Sequence, residues 1–144
     1  MGIKILHGSC LDRLKDLEDQ SINTCITSPP YWGLRDYGEG EQLGLEETPE
    51  EFVENLVQVF REVKRVLRDD GTVWLNLGDT YSATRWSNTP STTGISQSHS
   101  DIVLQKKTKL PDKNLVGIPW RVAFALQADG WYLRQDIIWH KPNP

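Results

Sequence analysis

A chain of 144 residues suits a single domain with a sizeable core, and 38% hydrophobic with 25% charged residues excludes a disordered chain. No apolar run approaches the roughly 20 residues that span a bilayer, and Met1-Gly2-Ile3-Lys4-Ile5-Leu6 is too short an apolar segment for a signal peptide, so no membrane and a cytoplasmic location are expected. The net charge of -4 lends no support to a stand-alone binder of phosphates, although Arg61, Lys64, Arg65 and Arg68 cluster in one segment and Lys106, Lys107, Lys109 and Lys113 in another, each readable as a solvated face.

Residues 3–6 are short, apolar and β-branched, and read as a strand. In 9–17, Leu11, Leu14 and Leu17 recur at spacing three, which predicts a short helix. Residues 22–27 read as a second strand, ended by two prolines that cannot donate to a ladder. A glycine- and charge-rich loop over 32–44 follows. Thr48-Pro49-Glu50-Glu51 then combines an N-cap threonine, a first-turn proline and a capping-box glutamate. Phe52, Val53, Leu56, Val57, Phe60, Val63 and Leu67 carry the helical period onward, and Asp69-Asp70-Gly71 is expected to stop it.

Residues 72–77 form an apolar segment with little alternation, expected of a strand covered on both faces. A long polar loop occupies about 80–113, rich in Ser, Thr, Asn and Gly between 82 and 101. It carries Arg85 and Trp86, and reads equally as a target-recognition element or as an insertion. Residues 119–128 predict another helix and 131–139 a strand, bent near Gln135-Asp136. Strands alternating with helices imply an α/β doubly wound domain with a parallel sheet. Such folds bind ligands beyond the carboxyl ends of their strands, where Thr27-Ser28-Pro29-Pro30 and Gly78-Asp79 fall. Cys10 and Cys25, 15 residues apart, lack the spacing of a zinc site, and His7, His99 and His140 are scattered, so no metal is expected.

The chemistry concentrates in Thr27-Ser28-Pro29-Pro30-Tyr31-Trp32. Consecutive prolines fix φ near -65° and hold Ser28 extended, so the turn is rigid. Prolines have no amide hydrogen, which leaves local carbonyls free to accept from a ligand. Ser28 adds a hydroxyl, and Tyr31 and Trp32 add flat faces that can line a substrate. An acceptor-rich pocket with an aromatic platform suits a planar group bearing an -NH2. Methylation of such an amine needs acceptors that hold its hydrogens, not a covalent intermediate or a strong base, so positioning and electrostatics would supply the rate.

This motif, continued by Gly33-Leu34-Arg35-Asp36-Tyr37, resembles the catalytic motif of prokaryotic and phage site-specific DNA amino-methyltransferases. The likeness extends to His7-Gly8-Ser9-Cys10-Leu11, to Leu67-Arg68-Asp69-Asp70-Gly71-Thr72-Val73-Trp74-Leu75-Asn76-Leu77-Gly78-Asp79, and to Ile138-Trp139-His140-Lys141-Pro142-Asn143. The resemblance implies a Rossmann-like fold that uses S-adenosylmethionine and acts on double-stranded DNA with a flipped target base. It puts Ser28, Pro29, Pro30 and Tyr31 at the reacting amine, and Trp32, Trp139 and Lys141 around the base. Ser9, Cys10 and Thr27 would touch the cofactor, although the family often has an acidic residue where this chain has Ser9. In that family a serine at position 28 accompanies N4-cytosine methylation more often than N6-adenine methylation.

The chain contains no Phe-x-Gly-x-Gly loop, the family's cofactor fingerprint. The expectation is therefore an incomplete, N-terminal catalytic half that works as a homodimer or with a missing C-terminal half. Alternatives are an N6-adenine enzyme, an RNA or protein amide methyltransferase, which Ser28 in place of Asn disfavours, and an inactive half that binds DNA or a partner.

Overall fold

The computed structural model describes residues 2–38, 40, 42–82, 108–140 and 142. Its organising element is the helix α2 (Pro49–Val66), which follows α1 (Cys10–Lys15) and the strand β1 (Ile22–Thr27). The start of α2 is the reciprocal cap that the sequence predicts: Glu51 N–H donates to Thr48 Oγ1 at 3.2 Å, and Thr48 N–H to Glu51 Oε2 at 3.3 Å. Phe52, Leu56, Val59, Phe60, Val63 and Val66 lie along one face and are buried. Each such side chain contributes about 1.5–3 kcal/mol by leaving water. Leu11 and Leu14 of α1 pack against this stripe from one side. Ile118 and Val122 of α3 (Ile118–Ala128) pack from another.

The helix runs without a turn into β2 (Leu67–Leu75), which pairs parallel with β1. A hairpin cannot join parallel strands, and α2 is the crossover that does. Ile22 faces Leu67 but Thr24 faces Thr72, so residues 68–71 bulge opposite Asn23. Asp69-Asp70-Gly71 therefore does not separate helix from strand. The helix has already ended at Leu67, whose φ of -74° and ψ of 141° are extended, and the turn-forming residues are spent on the bulge. Beyond it the register is regular, and the Thr24 and Thr72 hydroxyls meet at 2.9 Å across the pair.

Three sequence expectations change. Cys25, Val73 and Leu75 face the core, whereas Ile26 and Trp74 on the other face are 78% and 53% exposed. The described residues thus cover the sheet on one face, not two. Residues 3–6 and 131–139 pair with no strand among the described residues and form no ladder there, and Ile3, Ile5, Ile138 and Trp139 stand exposed. The α/β class holds, with a two-stranded parallel sheet among the described residues. No helix of the described residues is long and apolar enough to cross a membrane.

The basic cluster on α2 is structural. Arg65 bonds the Leu14 and Leu17 carbonyls and pairs with Glu62 and Asp19, which ties α1 to α2. Lys64 donates to the Gly130 carbonyl and lies over the Trp131 ring. Trp131 in turn meets Phe60 edge-on at 6.3 Å. Arg61 grips Asp129 with Nε at 2.8 Å and Nη2 at 2.6 Å, joining α2 to the end of α3. Lys106 and Lys107 lie outside the described residues.

The Arg61 hydrogen bond holds the Asp129 carboxyl below its ordinary value, with partial desolvation opposing and the Arg61 and Lys64 charges assisting. A depressed carboxyl adds stability above its unfolded-state value of about 3.9 and loses it as pH falls through the folded value. Unfolding midpoints recorded from pH 7 to pH 2 should therefore drop more steeply in the wild type than in Asp129→Asn. Parallel curves would show that this contact contributes nothing.

Candidate active site

The site is assembled where β1 and β2 end side by side. Past the last paired residues, the Asn76 N–H donates to the Thr27 carbonyl at 2.9 Å and carries the ladder one residue further. This places Asn76 next to Ser28. The Asn76 side-chain amide donates to Tyr31 Oη at 3.0 Å and to Ser28 Oγ at 3.4 Å, and Ser28 Oγ lies 3.4 Å from Tyr31 Oη. Three polar groups from two chain segments so form one triangle. Among the described residues, no donor reaches the carbonyls of Ser28, Pro29 or Pro30. The acceptor-rich turn that two prolines predict is present.

Tyr31 and Trp32 part company. Trp32 is 2% exposed, packed in the core, and donates from Nε1 to the Glu46 carbonyl at 2.9 Å. The expectation that it offers a face to substrate is corrected: its large apolar ring lowers the free energy more by filling the core beside Phe52 and Leu56 than by standing in water. Its role is to fasten the loop that follows. Within that loop Gln42 accepts from the Tyr37 N–H and donates to the Arg35 carbonyl, both at 2.6 Å. Asp36 accepts from the Gly38 N–H rather than pairing with Arg35.

The loop and the turn enclose a pocket of about 330 Å³ lined by Ser28, Pro29, Pro30, Tyr31, Leu34, Arg35 and Tyr37, of a size ordinary for small-ligand sites. A second depression of about 400 Å³ lies between α2 and α3. It is crossed by the Arg121–Glu50 ion pair and lined by carboxylates with no aromatic ring among them, whereas the pocket at the strand ends sets open carbonyls beside the Tyr31 ring.

The four residues expected at the reacting amine are thus brought together. Ser9 and Cys10, exposed at the start of α1, and Thr27, at the end of β1, do not line that pocket. Ser9 makes no side-chain cap bond, so its hydroxyl is available to a ligand, but the described residues do not surround it. Those three present polar atoms at the surface and form no enclosure among the described residues. Trp139 is exposed and apart from the pocket lining. Lys141 lies outside the described residues, as do Arg85 and Trp86 of the polar loop.

Sequence reading passed over Asn76. The available signal was a lone amide directly after an apolar strand, level with the end of the neighbouring strand. For Asp79, at the same edge, the sequence leaves two readings open, a contact to cofactor or substrate and a cap on the turn after the strand, and the structure shows it capping. That carboxylate accepts the N–H groups of Thr80, Gly117 and Ile118 at 2.8–3.1 Å, and so caps α3, whose own N-cap residue is glycine. Next to it the base of the long loop is closed. Val116 N–H donates to the Thr80 carbonyl, and the buried Ser82 hydroxyl meets Thr108 Oγ1 at 2.6 Å.

A family profile described as DNA methylase matches residues 22–144, which include the whole triangle and the strap after β2. The chain belongs to the DNA methylase family. Curated relatives agree. It is 51% identical over 143 residues to the Type II methyltransferase M.XycI of Xanthomonas campestris pv. cyanopsidis, an alignment covering 99% of this chain and 47% of that protein. Identity is 48% to M.Cfr9I of Citrobacter freundii, again covering 99% and 47%. To M.SmaI of Serratia marcescens it is 46%, covering 97% and 48%. This DNA methylase chain therefore spans about half the length of those relatives. No solved structure matches it.

Because one carboxylate satisfies three backbone donors, Asp79→Ala should destabilise the methylase chain by about 0.5–2 kcal/mol, the range of a lost helix cap. Urea unfolding measures this. Unchanged stability would mean that water replaces the carboxylate without loss.

Proposed function

We propose that this chain carries the catalytic pocket of an S-adenosylmethionine-dependent DNA methyltransferase with a Rossmann-like fold, and that its target is N4 of cytosine. The observation that carries the reading is the set of open carbonyls of residues 28–30, together with the Ser28 hydroxyl, beside the Tyr31 ring at the end of a parallel strand. Membership of the DNA methylase family supports the reaction class, and the names of the Type II methyltransferase relatives support site-specific action on DNA. Serine at position 28 supports cytosine over adenine through the family resemblance.

In this mechanism the target base leaves the duplex and stacks on Tyr31. Its exocyclic nitrogen is a weak nucleophile because the lone pair is delocalised into the ring. Ser28 Oγ and the Pro29 carbonyl accept its two hydrogens and favour a tetrahedral nitrogen with a localised lone pair. S-adenosylmethionine, when bound, would supply an electrophilic methyl on a sulfonium, and Ser9, Cys10 and Thr27 are the residues that would hold it. Transfer would form the nitrogen–carbon bond as the methyl–sulfur bond breaks with its electron pair left on sulfur, and the proton shed by the amine would pass to water at the exposed Ser28. Arg35, which makes no ion pair among the described residues and lines the pocket, is available to a backbone phosphate.

A second reading rests on the open face of the sheet, where Ile26 and Trp74 stay exposed, and on the greater length of the relatives. In it the chain is inert alone and transfers methyl groups only when a complementary half or a second copy covers that face.

The test is transfer of a labelled methyl from S-adenosylmethionine to unmethylated bacterial DNA, with the nucleosides identified by mass spectrometry. N4-methyldeoxycytidine is expected, and Ser28→Ala should lower the rate about 100-fold or more, as loss of one oriented group does. N6-methyldeoxyadenosine would overturn the cytosine assignment. Transfer that appears only after a relative's C-terminal half is added would establish the second reading.

A further inference from the structure

We propose that Asn76 and Gly78 are positioning residues whose task is to hold the Tyr31 ring at the angle on which a base can stack. The inference rests on the reading of the pocket as a base site and names residues that this reading leaves without a role.

Two features of the strap that follows β2 converge on Tyr31. The Asn76 amide holds the phenolic oxygen at 3.0 Å. Two residues on, a Cβ at Gly78 would sit 2.6 Å from both Cδ2 and Cε2 of the Tyr31 ring. No side chain fits at that distance. Gly78 does not adopt the left-handed conformation that calls for glycine elsewhere in the chain. Its backbone is one that other residues take up, so the demand for glycine there comes from the ring alone.

A tyrosine side chain has two rotatable bonds before its ring. The amide fixes where the tip lies, and the bare Cα fixes how closely one edge approaches the strap. The backbone of Tyr31 is held independently. A Cβ on Gly44, whose φ is +95°, would fall 2.9 Å from the Tyr31 carbonyl oxygen, and the Gly33 N–H donates to the Gly44 carbonyl at 2.6 Å. The strap is itself tied at both ends, through the Asn76 N–H to Thr27 and through Asp79 to the start of α3. The ring is therefore referenced to the sheet and to a helix as well as to its own loop. Such rigidity is useful where a base must be presented with its amine aligned, since a displacement of about 1 Å can cost 10²-fold in rate.

Fluorine NMR on the 144-residue chain labelled with 3-fluorotyrosine reads this directly. The chain has four tyrosines, so four signals are assigned by Tyr→Phe variants. Asn76→Ala and Gly78→Ala should each shift or broaden the Tyr31 signal and leave those of Tyr37, Tyr81 and Tyr132 in place. In a Tyr31→Phe background, which lacks the oxygen that Asn76 holds at 3.0 Å but keeps the Ser28 hydroxyl, Asn76→Ala should cause a smaller loss of thermal stability than it does in the wild type. Where methyl transfer is measured, each single variant should lose about 10- to 100-fold in kcat with KM for DNA changed less than about 3-fold.

A Tyr31 signal unmoved in both folded variants overturns the proposal, and if one variant does not fold the other decides alone. The fluorine signals are read without any turnover. Absence of methyl transfer in the wild type would therefore count against the proposed function while this measurement still decides the positioning role.

Discussion

Thr27 and Leu75 are partners in a parallel ladder, and that register sets Ser28 beside Asn76, 48 residues further along the chain. An antiparallel pair would put one strand's beginning next to the other's end and separate the two side chains. The parallel arrangement needs a crossover, and α2 provides it with a buried stripe from Phe52 to Val66. The bulge at residues 68–71 matters for the same reason. It absorbs the surplus of β2 before the regular register begins, so that both strands end level. Core packing, crossover and bulge thus act together to align two strand ends, and the polar triangle is the result.

Much of this was legible because the signals were local. Thr48, Pro49 and Glu51 announce the start of α2, and the period of its apolar residues announces the buried face. Ser28 with two prolines announces a rigid turn whose carbonyls are left open, through the missing amide hydrogens alone. What was not legible depends on partners. Residues 3–6 and 131–139 have the composition of strands, but a ladder requires a neighbour that local sequence does not specify. Trp32 and Tyr31 are adjacent aromatics with equal claims on a substrate. Only the packing of the loop on Phe52 and Leu56 sends one ring inward and leaves the other at the pocket. Asn76 is silent until the register sets it against Ser28.

Charge is a further case in which tertiary structure decides. Arg61, Lys64 and Arg65 look like a basic patch along the chain, yet each is engaged in tying α2 to α1 or to the end of α3. Among the described residues, the positive group that lines the pocket is Arg35, a residue in no basic run. The aromatic and polar lining of that pocket is therefore held by the core beneath and by the strap beside it. Its outer rim comes from the loop fastened by Trp32 and Gln42.

The central claim is that the pocket at the strand ends, not the depression between α2 and α3, receives the nucleic acid. Titration of the 15N-labelled chain with a short cytosine-containing single-stranded oligonucleotide addresses this most directly. The account predicts amide shifts at Ser28, Tyr31, Gly33, Arg35, Asn76 and Gly78. Shifts confined to Val53, Val57, Arg121 and Ala125, around the other depression, would contradict it.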